Sequence, residues 1–226
     1  MLGRRVKEAY YLAAGPAMRL NSLIYRAFRA PRTGVVRAHL GPGQKNYLPG
    51  WFNVDANLFT AKIDIWADLR ARLPFRNESV DIFYSHHVIE HFADNLLPRH
   101  FDELFRCLKP GGAIRIGGPN GDAAIRKFIE GDAKWFGDFP DKHESIGGRL
   151  VNFLLCRNEH LTILTESYLR ELISSAGFVN VQARVSRIET GFPQWIDEAV
   201  FSIEWDDPSD IPHTLIIEAS KPGGAA

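Results

Sequence analysis

From residue 35 onward, short apolar or β-branched runs alternate with helical stretches, and each run stops at Gly, Asp or Ser. Val35 to Leu40 runs into Gly41-Pro42-Gly43, Trp51 to Val54 ends at Asp55, and Ile63 to Trp66 ends near Asp68. Val80 to Tyr84 ends at Ser85, and Ala113 to Ile116 ends at Gly117-Gly118-Pro119. Between the last two, Phe101, Leu104, Phe105 and Leu108 form an apolar stripe that starts behind Pro98 and stops at Lys109-Pro110-Gly111-Gly112. Strands that alternate with helices must lie parallel, because each helix carries the chain back along the sheet. The expected fold is therefore α/β, a doubly wound, mostly parallel sheet with helices on both faces.

The rest of the chain fits around that sheet. Thr165 is placed to cap a helix carrying Leu169, Leu172 and Ile173 and ending at Gly177. Val179 to Val185 and Thr214 to Ala219 read as closing strands. The stretch 131–164, rich in Gly, Asp and aromatics, reads as an insertion or lid within a domain spanning 34–226. Residues 5–29 read as a separate N-terminal helical extension within 1–33, broken or kinked near Gly15-Pro16. Leu20, Leu23, Ile24 and Phe28 put an apolar stripe on that helix.

Charge narrows the function. The 27 Lys and Arg balance the 27 Asp and Glu, so a nucleic-acid partner is not expected. The balance is uneven along the chain: residues 1–33 hold seven bases against Glu8, a net +6, and residues 189–226 net −7. No apolar run reaches the ~18–20 residues of a membrane span, and a cleavable signal peptide is not expected. Two cysteines, Cys107 and Cys156, exclude a disulfide framework and suit a reducing, cytoplasmic location. The basic helix suits either a homodimer contact or a peripheral contact with the inner face of the plasma membrane.

The strand ends carry the chemistry. Gly41 and Gly43 let the backbone approach a ligand. Asp55, at the next strand end, is placed to accept both ribose hydroxyls of a nucleoside, and Asp68 to reach an adenine amino group. Position 46 is Asn rather than a third glycine, and only eleven residues separate Gly43 from Asp55. That leaves little room for a pyrophosphate-binding helix, which disfavours a nicotinamide oxidoreductase and favours a nucleoside cofactor without phosphates.

The strings LGPGQKNYLPGWFNVDAN, DIWADLRARLPFRNESVDIFYSHHVIEHF, FDELFRCLKPGGAIRIGGPN and LTESYLRELISSAGFVNV resemble class I S-adenosylmethionine-dependent methyltransferases. The likeness is greatest to the bacterial group found among cell-surface polysaccharide biosynthesis enzymes. It covers residues 35 to about 186, and the final strand more loosely. It implies a seven-stranded Rossmann-like sheet with a reversed last strand and S-adenosylmethionine as cofactor. Cofactor contacts carry over to Gly41, Gly43, Asp55, Asp68, Ser85 and His86, with Gln44 or Asn46 near the carboxypropyl end. The implied reaction is O-methylation of a sugar or glycan intermediate. A small-metabolite methyltransferase and a non-catalytic scaffold of the same fold are the alternatives.

A hydroxyl acceptor needs its proton removed, or a metal to acidify it. His86, His87, Glu90 and His91 follow the fourth strand, and His87, Glu90 and His91 would share one face of a helix. With His160, and His143 as a further candidate, they resemble the metal set of some small-RNA 2′-O-methyltransferases and ubiquinone-pathway O-methyltransferases, which carry a carboxylate where this chain has His87. A divalent metal, a single histidine base among His86, His87 and His91, and a structural role all remain open. Trp135, Phe136, Phe139, Phe192, Trp195 and Trp205 are read as core or lid packing, or as walls of an acceptor pocket.

Overall fold

A computed structural model describes residues 4–204, 206 and 210–224. Its strands are β1 (Arg37–Leu40), β2 (Phe52–Asp55), β3 (Ile65–Trp66), β4 (Val80–His86), β5 (Leu108–Pro119), β6 (Val179–Arg184) and β7 (Thr214–Ser220). They form one sheet in the order β3-β2-β1-β4-β5-β7-β6, in which only β7 runs antiparallel to its neighbours. The expected seven-stranded sheet with its reversed last strand is present. The strand order turns back between β1 and β4, where Leu40 lies beside Ser85. In an open α/β sheet the crevice beyond such a reversal is where ligands bind.

The two faces are covered differently. α2 (Leu97–Cys107) and α5 (Glu166–Ser175) bring Phe101, Leu104, Leu169 and Ile173 onto Leu40, Phe83, Ile114 and Ile217. The opposite face, carrying Ile82, Tyr84 and Ala113, is covered by Leu48, Trp51, Ile196 and Val200. Among the described residues packed there, the regular cover is the six-residue α6 (Glu198–Ile203), so the expected helix layer on that side is largely replaced by loops. The short connection from Gly43 to Trp51 leaves no room for a helix.

Several boundaries differ from expectation. β5 begins at Leu108, within the segment read as a turn, because Leu108 pairs with Val80 across a bulge. α3 (Gly121–Glu130), capped by Asn120, and α4 (Ile146–Leu155) turn part of the presumed lid into a third small core with Trp135, Phe136 and Phe153. α1 (Arg4–Ile24) runs unbroken past Gly15-Pro16 and continues as a π-helical turn, Tyr25–Arg29. Anchors on both sides of Pro16 oppose the break. The Tyr10 hydroxyl donates to the Ala56 carbonyl at 2.6 Å, and the Asn21 amide donates to the Trp66 carbonyl at 2.8 Å. Cys107 and Cys156 are both free and buried.

Two buried imidazoles make the fold sensitive to acid. His39 donates to Asn53, and His100 donates through Nδ1 to the Leu69 carbonyl. Burial pushes each down to about 4. The unfolded chain takes up these protons near pH 6.5, so their stabilising contribution is present above that pH and is lost as pH falls towards 4. The full loss is roughly 3 kcal/mol per histidine. Urea midpoints should fall between pH 7 and pH 4.5, and His100→Gln should flatten the fall; an unchanged slope would remove His100 from the account.

Candidate active site

Gly41 is the first residue after β1 and adopts a left-handed φ of +72°. A Cβ there would lie 2.3 Å from Val88 Cγ2, so glycine is required both by conformation and by the closeness of the β4 turn. Gly43, at φ +56°, has open space where a Cβ would project. Asp55 closes β2 and ties this loop down: its carboxylate accepts from Gly43 N at 3.1 Å and from Asn57 N at 2.9 Å. The glycine loop and Asp55 are thus brought together beside the strand reversal.

Asp68, expected to reach an adenine amino group, sits just past the end of β3 with a salt-bridged carboxylate. It is nearly buried, and Arg70 grips it through Nε at 2.9 Å and Nη2 at 3.0 Å. The Tyr11 ring of α1 lies 3.5 Å from the Arg70 guanidinium. Burial, reinforced by the nearby Asp68 and Asp55 charges and opposed by Arg70, pushes the Tyr11 hydroxyl up to about 12. An adenine amino group would therefore meet an aspartate already paired, with Tyr11 as a neighbour that motif reading did not single out. Gln44 points to Thr60 at 3.2 Å.

At the end of β4 the side chains part. Ser85 is fully buried, on the α2 side of the sheet with Phe83. His86 faces the other side, stacked on Tyr84 and edge-on to His87 with ring centroids 4.6 Å apart. Burial, with the His87, Arg115 and His39 charges adding to it, holds the His86 imidazole well below its ordinary value and so neutral. His87 adopts φ +54°, an uncommon left-handed conformation for a non-glycine residue. The expected helix does not form here. Only Ile89–His91 makes a single 3₁₀ turn, so His87, Glu90 and His91 do not share a helical face.

The functional group that does form is centred on Glu90, which is completely buried. Its Oε1 accepts from His87 Nδ1 at 3.1 Å, while its Oε2 has no hydrogen-bond partner. Burial raises the Glu90 carboxyl, but the His87 hydrogen bond and the His87, His91 and His160 charges outweigh it and hold the group below its ordinary value. Glu90, His91 and His160 place ligand-capable atoms within 4.8 Å of one another. His91 Nδ1 donates to the Glu159 carbonyl at 2.8 Å, and His160 Nδ1 donates to the Leu154 carbonyl at 3.1 Å. Since a carbonyl only accepts, both Nδ1 atoms carry protons, and it is Nε2 of each ring that can offer a lone pair when the imidazole is neutral. Histidine ligands are oriented in this way at metal centres. With the buried Glu90 Oε2 unpartnered, the three residues fit a divalent cation. His160 reaches them because Leu161 N and Thr162 N both donate to the Glu90 carbonyl, folding 131–164 back over the turn. His143 is exposed and outside this group.

The aromatic residues divide as packing predicts. Trp135 and Phe136 are buried, Phe192 and Trp195 pack on the loop-covered face, and Phe139 is exposed. Trp205 lies outside the described residues. Sequence reading missed the buried cluster of that same face. Arg115 binds Glu204 through Nε at 2.6 Å and Nη2 at 2.8 Å, and Glu218 through Nη1 at 2.7 Å. This cluster fastens the 186–204 segment across β5 and β7, under the pocket side that carries His86.

Comparison with known proteins agrees with the fold. Residues 54–116 match a family model described as a methyltransferase domain. No curated protein matches the sequence. A SAM-dependent methyltransferase from Archaeoglobus fulgidus is similar in structure, with a TM-score of 0.53 at 14% identity, over 94% of this chain and 100% of that one. A SAM-dependent methyltransferase from Thermotoga maritima gives 0.52 at 17% identity, over 96% and 95%. A phosphoethanolamine N-methyltransferase from Haemonchus contortus, bound to phosphomonomethylethanolamine and S-adenosylhomocysteine, gives 0.50 at 16% identity over 90% of this chain. The present chain spans about half of that protein, 52% of its length. This chain is therefore built on the class I fold of S-adenosylmethionine-dependent methyltransferases, and residues 54–116 carry the sequence pattern of the methyltransferase domain.

Proposed function

We propose that the protein transfers the methyl group of S-adenosylmethionine to a hydroxyl of a sugar or glycan intermediate. The observation that carries this reading is the placing of two groups near the β1/β4 reversal. Gly41, Gly43 and Asp55 form a hydrogen-bonded loop at the ends of β1 and β2, and Glu90, after β4, gathers His87, His91 and His160. The second group is what distinguishes an oxygen acceptor. An amine already offers its lone pair, whereas a hydroxyl must lose a proton as it reacts. The glycan class rests on the sequence resemblance.

In this reading the acceptor oxygen attacks the methyl carbon in line with the sulfonium. The carbon–sulfur bond breaks, its electron pair stays on sulfur, and neutral S-adenosylhomocysteine leaves. His87 takes the hydroxyl proton on Nε2, since its Nδ1 proton is held by Glu90. Glu90, His91 and His160 would hold a divalent cation, which would supply Lewis acidity toward the acceptor hydroxyl.

Asp55 tests the cofactor half. Losing a charge-assisted pair with ribose costs on the order of 1.5–3 kcal/mol, so Asp55→Ala should bind S-adenosylhomocysteine at least about tenfold more weakly by calorimetry. Because Asp55 also anchors Gly43, Asp55→Asn serves as the milder companion. Unchanged affinity in both folded variants removes the ribose assignment. Transfer of labelled methyl into cell-extract fractions identifies the acceptor; a labelled amine rather than a hydroxyl would overturn the oxygen assignment.

A further inference from the structure

α1 is packed on one side only. Met18 and Ser22 are buried, and Tyr10, Tyr11 and Asn21 make contacts with the domain, so the helix faces inward along that line. Its outward side is apolar. Between Val6 and Phe28 every exposed residue except Glu8 and Arg19 is apolar. Leu12 and Phe28 are each 82% exposed, and Leu20, Leu23 and Ile24 stand between them with alanines filling the gaps. At 1.5 Å per residue this stripe is roughly 33 Å long. Phe59, also 82% exposed, lies against Tyr10 and widens it. A continuous face of this length is more than a soluble monomer ordinarily leaves in water.

We propose that this face docks the protein on an anionic lipid surface, with α1 lying in the plane of the bilayer. Charge decides between lipid and a second copy. Residues 1–33 carry a net +6, and Arg19, Arg29 and Arg32 are exposed around the stripe. A symmetric dimer built on the same face would bring two such segments together, like charge on like charge. An anionic headgroup layer neutralises them while the leucines and Phe28 enter the acyl boundary. No helix among the described residues is long and apolar enough to cross a membrane, so α1 lies on the surface and does not span it.

The inner side of the same helix reaches the site. Tyr11 stacks on the Arg70 that holds Asp68, and Lys7 pairs with Glu159, next to His160. Docking through the outward face therefore leaves these contacts intact and sets the mouth of the crevice beside the lipid surface.

The test is co-sedimentation of the full chain with phosphatidylglycerol/phosphatidylcholine vesicles and with phosphatidylcholine alone, at low and high salt. Binding should require the anionic lipid and should weaken by at least about tenfold at high salt. Leu23→Glu and Phe28→Glu, whose side chains point away from the domain, should each reduce binding several-fold with urea stability unchanged. Arg19→Glu combined with Arg29→Glu should shift the salt dependence. Equal binding to neutral vesicles overturns the charge argument. No vesicle binding overturns the proposal, and if Leu23→Glu then dissociates a dimer in sedimentation velocity, the face belongs to a second copy.

Discussion

Glu90→Gln is expected to lower methyl transfer by roughly 10²–10⁴ while S-adenosylhomocysteine affinity stays within a few-fold of wild type. The substitution keeps the shape of a completely buried side chain and removes its charge. Two functions then fail together. His87 loses the carboxylate that holds its Nδ1 proton, and the proposed cation site of Glu90, His91 and His160 loses its carboxylate. Base catalysis contributes about 10²–10⁴ in rate, and a Lewis-acidic metal contributes several kcal/mol, a similar factor. His160→Ala separates the two. It should abolish Mn²⁺ or Zn²⁺ binding by calorimetry and make activity insensitive to chelator, while leaving the His87–Glu90 pair in place. Near-wild-type turnover in Glu90→Gln, measured on the acceptor found by methyl labelling, would leave the cluster with a structural role.

Arg115→Met is expected to destabilise the fold by about 3–5 kcal/mol, the usual cost of breaking a buried ion pair from one side. Arg115 and Glu204 are fully buried and Glu218 nearly so. Their attraction is strong because no water screens it, but the same absence of water leaves Glu204 with only the neutral donors Ser186 Oγ and Arg187 N when the guanidinium goes. Glu218 would keep Arg184 at 3.1 Å, Thr190 and Gly191 N, so Glu204 is the worse stranded of the two. Adding Glu204→Leu to Arg115→Met should therefore recover part of the loss in urea unfolding. A loss below about 1 kcal/mol in the single variant would mean that the stranded acids take up protons or water at little cost.

Chain-local patterns made much of the sheet legible. Each of the first five strands is an apolar run closed by Gly, Asp or Ser, and such breakers act on their own few residues whatever surrounds them. The same locality let Gly41, Gly43 and Asp55 be placed at one edge of the sheet. The misreadings fall where a distant partner overrides the local preference. Lys109 to Gly112 has turn composition, yet it lies within β5, between the Leu108–Val80 and Ala113–Ile82 pairs, with Gly111 and Gly112 bonded to Lys221 just past β7. Pro16 removes a helix hydrogen bond, yet α1 continues through it, with contacts to Ala56 and Trp66 on either side. The i, i+3, i+4 spacing of His87, Glu90 and His91 assumed a helix. The tight passage past Gly41 allows only one 3₁₀ turn, with His87 in a left-handed conformation.

By itself, then, the sequence determined the α/β class, the parallel direction of the early strands and the placing of Gly41, Gly43 and Asp55 at strand ends, because strand periodicity and turn chemistry are properties of neighbouring residues. Tertiary structure alone decided the rest. It brought His160 to Glu90 across 70 residues, set Arg115 against two acids from the far end of the chain, turned Asp68 onto Arg70, and left one side of α1 apolar and uncovered. Those outcomes depend on which groups are desolvated together, and the free energy of burying a charge, a lone pair or a leucine is set by what packs against it and not by its place along the chain.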